Sequence, residues 1–134
     1  MTIDELVDNF AALDDWEDKY AYLIKLGGTL APMDDSLKTD SAKVQGCMSQ
    51  VWMLLGWGEG GRLAFLADSD AQIVRGLIAV LGVIFSGRTK EEAAAMDVAD
   101  IFGRLGLDQH LSPNRRNGFF SMVERIKKFV AASA

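Results

Sequence analysis

Residues 50–69, QVWMLLGWGEGGRLAFLADS, decide the fold. Around them apolar residues recur every three or four positions, the period of a helix; within them that period is lost. Trp52, Trp57 and Phe65 suit a pleated, half-buried surface. Between the two apolar runs lies Gly58-Glu59-Gly60-Gly61, a connection with turn chemistry. The stretch predicts two antiparallel strands. Val44, leading into Cys47, extends the reading to a small sheet of about three strands.

Helical patterns flank this region on both sides. Thr2 and Glu5 have capping-box spacing, and Ile3, Leu6, Val7 and Phe10 then share one face. Residues 15–27, DWEDKYAYLIKLG, start acidic, carry Trp16, Tyr20, Leu23 and Ile24, place Lys25 late and reach Gly27 as a stop. Residues 28–42 read as a loop around Pro32. Ser69 and Gln72 suggest a second capping box, opening an almost wholly apolar helix that should be central and buried. Thr89 and Glu92 cap a short acidic helix, and residues 97–111 read as helix, turn and loop. Ser112 and Pro113 stand at the N-cap and first position of a last helix. Helices, strands, then helices make an α+β fold with a segregated antiparallel sheet packed against helices. No linker or repeat divides residues 1–134, so one domain is expected.

The balance of 49% apolar and 25% charged residues is that of a globular chain. A net charge of −5 argues against nucleic acid and anionic membrane as partners, since both require a basic surface. One cysteine and one histidine can form neither an internal disulfide nor a closed structural zinc site. The acidic, amphipathic start is unlike a signal peptide. A reduced, cytoplasmic protein without metal or cofactor is the expectation, its oligomeric state open between monomer and homodimer.

The single thiol, Cys47, lies in KVQGCMSQVW, residues 43–52. Gly46 frees the backbone for a turn or a close approach, and Met48-Ser49-Gln50 interrupts the strand pattern. Two readings stand: a packing cysteine, or a reactive thiol presented at a hairpin tip. Reactivity requires thiolate, and an ordinary free cysteine is only a few per cent ionised near neutrality. His110, Arg115, Arg116 and turn amides are the candidate tuners. A Cys47/His110 pair would suit a small hydrolase, although no orienting Asn or Asp can be assigned. A thiol reductase would ordinarily carry C-x-x-C, which the chain lacks. His110 can equally serve as a loop histidine positioning the last helix. Arg115 and Arg116 stand where cations oppose the helix dipole, a cost that an electrostatic role toward the thiol or an acidic partner would explain. Asp68 and Asp70 suit helix capping, with a partner contact as the alternative.

KVQGCMSQVW closely resembles the active-cysteine motif of the SufE family of sulfur-acceptor proteins. ADSDAQIVRGL (67–77), LDQHLSPNRRNGFFSMVERI (107–126) and DWEDKYAYLIKLG (15–27) resemble the same family in the same order. Met48 departs from it, standing where many members have a polar residue. The resemblance implies a fold shared with IscU-type scaffolds. It implies that Cys47 accepts persulfide sulfur from a SufS- or CsdA-like cysteine desulfurase, activates that enzyme, and relays sulfur toward a SufB-containing iron–sulfur assembly machinery. Gly46, Ser49, Gln50, Asp70, His110, Arg115 and Arg116 become supporting or partner-binding candidates. In that role a loop position serves delivery, and the lack of a second thiol prevents early release of sulfide.

Overall fold

The computed structural model describes residues 1–133. Helix α1 (Ile3–Ala11) opens with the expected reciprocal cap between Thr2 and Glu5, and α2 (Trp16–Gly27) with Asp15. Strands β1 (Val51–Trp57) and β2 (Leu63–Ser69) follow, then α3 (Gln72–Phe85), α4 (Lys90–Ala95), α5 (Val98–Arg104), α6 (Leu107–His110) and α7 (Pro113–Ala132). The class is α+β, as expected.

β1 and β2 pair antiparallel, Val51 opposite Ser69 and Trp57 opposite Leu63. The sheet has two strands among the described residues rather than about three. What was read as a third strand makes a single bridge, Lys43 opposite Trp52. Its residues pair with β1 only at the neck of a loop, where Val44 N–H donates to Val51 O and Met53 N–H to Ala42 O. Beyond the neck Gly46 takes φ +86°, a left-handed conformation, and the chain turns toward α7 instead of continuing a ladder.

The core forms where α3 lies against α2, β2 and α7, and Leu77, Ile78, Leu81, Ile84 and Phe85 of α3 are buried. The α2–α3 crossing depends on two glycines. A Cβ on Gly76 would come within 2.3 Å of the Leu23 carbonyl oxygen, and one on Gly27 within 2.7 Å of the Gly76 nitrogen. Gly27 is thus the last residue of its helix and a packing glycine rather than a stop by backbone freedom.

Two local readings change. Ser69 does not cap α3: Ala71 holds that position, and Ser69 Oγ accepts from Ala71 N–H and donates to Gln50 O at 2.7 Å. His110 is the last residue of α6, not part of a loop; Gly106 at φ +74° makes the turn that starts this short helix. Ser112 and Pro113 open α7 as read, with Ser112 Oγ accepting from Arg115 N–H.

Candidate functional site

The loop between Lys43 and Gln50 is held at both ends and lies along α7. At its outgoing end, Gln50 N–H donates to Asp70 Oδ1 at 3.0 Å. The Gln50 carbonyl receives Ser69 Oγ at 2.7 Å and the Asp70 amide at 3.3 Å. At the incoming end, Arg125 donates to the carbonyls of Lys43 and Ser41, each at 2.9 Å, and to that of Met53 at 3.2 Å. Between these ends Gly46 passes so close to α7 that a Cβ there would lie 2.6 Å from Ser121 Oγ.

Cys47 is half-buried, its thiol 3.6 Å from the Gly118 carbonyl oxygen. Gly118 faces the sulfur: a Cβ on that residue would stand 3.6 Å from Sγ, an ordinary contact distance. Ser49 Oγ accepts from Arg115 Nη1 at 3.1 Å. Thiol and guanidinium line one cleft of about 250 Å³, which has Val51, Val74, Leu77, Phe119 and Met122 on its apolar wall. Burial pushes the Cys47 pKa up from the ordinary thiol value of 9.0, because the apolar wall penalises a thiolate. At rest the sulfur is therefore a neutral thiol. Met48, next to it, points outward and is 81% exposed.

The structure thus brings together Gly46, Cys47, Ser49, Gln50, Asp70 and Arg115. Gln50 and Asp70 act through the backbone they fix rather than by facing the sulfur. It does not bring in His110 or Arg116. The His110 ring stacks on Trp16 with centroids 3.9 Å apart, its carbonyl accepts from Tyr20 Oη, and it does not line the cleft. Arg116 is exposed on α7. Asp68 is tied to Lys38 at 3.2 Å and Arg75 at 3.0 Å. Among the described residues no group of three or more His, Cys, Asp or Glu side chains converges as metal ligands would. Nor is any helix among them long and apolar enough to cross a membrane.

Arg125 and Ser69 were missed as loop anchors. Each works by hydrogen-bonding a carbonyl distant in sequence, and residue type and spacing carry no trace of that. Gly118 was legible only as a glycine inside a helix, a position that ordinarily costs stability, and the contact with the sulfur does not require it.

The family model described as SufE, an Fe-S metabolism associated domain, matches residues 4–130. An uncharacterized SufE-like protein of Rhizobium meliloti is 48% identical over 129 residues, covering 94% of this chain and 92% of its own. One from Rhizobium etli is 44% identical over 130 residues, covering 95% and 88%. Among solved structures, a hypothetical protein from Thermus thermophilus superposes with a TM-score of 0.77 over 98% of this chain and 96% of that one. At 18% identity that last match speaks to the fold alone.

Proposed function

Since this chain belongs to the SufE family, whose domain is associated with Fe–S metabolism, we propose that Cys47 is a persulfide carrier that accepts sulfur from a cysteine desulfurase and so activates it. The observation that carries this reading is the placement of the thiol. It is the only cysteine in the chain, and it sits at the tip of a loop whose base is fixed and whose tip is lightly held over a cleft.

The chemistry is thiol–persulfide exchange. The Cys47 thiolate attacks the outer sulfur of a donor R–S–S⁻. A new S–S bond forms to Cys47, the donor S–S bond breaks, and the donor leaves as R–S⁻. The proton of the resting thiol must go first. In the sheltered position burial opposes that loss. When the tip moves out at the partner the apolar wall no longer opposes charge, and the thiol returns toward its ordinary acidity. Reactivity is thereby tied to docking. Returned to the cleft, the labile Cys47–S–S⁻ is kept from bulk water, and Arg115, bonded to Ser49 beside it, supplies positive charge toward the terminal sulfur.

Partner recognition falls to the same face. In an acidic chain, exposed Arg116 and neighbouring Arg115 offer a local positive charge that orients an acidic rim. A SufS- or CsdA-like desulfurase is the donor in this reading, and a SufB-containing scaffold the onward acceptor.

The test is intact mass after incubation with such a desulfurase and L-cysteine. Cys47 should gain one sulfur atom, desulfurase turnover should rise, and Cys47→Ser should show neither effect. Undiminished stimulation by the serine variant would overturn the acceptor mechanism.

A further inference from the structure

The contacts between α7 and the thiol loop follow one rule. Reading α7 forward, Arg115 meets Ser49, Gly118 meets Cys47, Ser121 meets Gly46, and Arg125 meets Lys43 and Ser41. The helix residues advance by three or four, so they share one face, while the loop residues descend. The loop is laid antiparallel along a single stripe of the helix.

The two ends of the stripe are unequal. At the tip, Arg115 makes one bond, to a serine hydroxyl, and the thiol lies at a long 3.6 Å from a carbonyl. At the base, one guanidinium spans three carbonyls on two segments, Ser41 and Lys43 before the loop and Met53 in β1. Charge-assisted bonds from a planar fork are the stronger kind, and a fork fixes direction as well as distance. Removal of Arg125 would strand the partly buried carbonyls of Lys43 and Met53 and free the exposed one of Ser41, whereas release of the tip costs little.

We propose that Arg125 is the positioning residue of the thiol loop: it pins the neck, sets where along α7 the loop lies, and leaves the tip free to open around Gly46 and Gln50. Arg125 never touches the sulfur. It acts through the neck, whose pairing Val44–Val51 and Met53–Ala42 it braces from the side. This inference concerns the resting chain and does not rest on the proposed sulfur transfer. Its tests use no desulfurase, so the two fail separately.

The test compares wild type, Arg125→Met and Arg125→Lys by the rate at which Cys47 is alkylated, using iodoacetamide and a bulky maleimide. Methionine keeps the apolar stem and loses the fork. Loss of the charged bonds should accelerate Cys47 alkylation by at least about tenfold under native conditions. The bulky reagent should gain more than the small one. Lysine, which can reach a carbonyl but not span three, should fall between methionine and wild type. The urea dependence separates positioning from plain stability. Local opening exposes little surface, so the accelerated rate should hardly change in low urea, whereas reaction through global unfolding rises with the full slope. A folded Arg125→Met protein with wild-type alkylation rates overturns the assignment, and so does acceleration with the full urea slope. If that variant does not fold, amide hydrogen exchange of the wild-type chain decides. Val44 and Met53 should exchange far more slowly than Met48 and Ser49, and equal rates overturn the anchor.

Discussion

Substituting Gly46 by alanine probes the loop at its tightest point. Two costs can be read from the structure. The φ of +86° lies in the left-handed region, where a Cβ costs about 1–2 kcal/mol. The new Cβ would also stand 2.6 Å from Ser121 Oγ, so the serine must leave its rotamer, at about 0.5–1.5 kcal/mol. Against these, alanine restricts the unfolded chain and returns about 0.4–1 kcal/mol. The net loss is about 0.5–3 kcal/mol. For a chain of this size that lowers Tm by roughly 2–12 °C, at about 3–4 °C per kcal/mol. The assay is thermal unfolding by circular dichroism, with alkylation of Cys47 alongside, because the loop can relieve part of the clash by lifting off α7. Adding Ser121→Ala removes the oxygen and leaves the backbone strain, so the double variant should recover only the rotamer share. Wild-type Tm and wild-type thiol reactivity in Gly46→Ala would refute the close-approach reading. A double variant no better than the single would refute the part assigned to Ser121.

Two further outcomes are expected. Cys47 has a raised pKa in the folded chain, so the unfolded chain ionises first; stability should fall as pH rises through the ordinary thiol value of 9.0, and Cys47→Ser should lack that component in pH-dependent urea titrations. Replacing Arg115 and Arg116 together by alanine should weaken desulfurase activation most at low salt, with little change in Tm; a salt-independent defect or a cooperative loss of fold would remove their proposed role in docking.

The legible part of the molecule was what periodicity and local caps determine. The hairpin 51–69 was readable because a strand run, a glycine turn and a second run adjoin, and the helix starts at Thr2, Thr89 and Ser112 because each cap acts within three residues. Failures came where a distant group competed for a local one. Ser69 looked like an N-cap, but the Gln50 carbonyl claims its hydroxyl, so α3 begins later, behind Ala71. The third strand shrank to one bridge because the Ala42 N–H turns back to the Thr39 carbonyl and Gly46 turns the chain away. In the site, Cys47 and its glycine were visible as a pattern, and Arg115 was visible as a misfit with its helix dipole. His110 was drawn in as the sole histidine and by the resemblance of residues 107–126, whereas its ring lies against Trp16, a partner that no spacing could indicate.

The antiparallel lie of the loop on α7 also has a consequence in time. Cys47 and the carbonyl that covers it, at Gly118, are 71 positions apart, and Lys43 and Arg125 are 82 apart. At ribosomal speeds of about 5–20 residues per second, the thiol is made roughly 4–14 s before its cover exists. Throughout that interval no helix shelters the sulfur, and an oxidant or a stray persulfide meets an ordinary cysteine on a nascent chain. Protection of the sulfur is thus a property of the finished fold and absent from the growing one. α7, translated well after the loop, determines when the thiol passes from exposed chemistry to guarded chemistry.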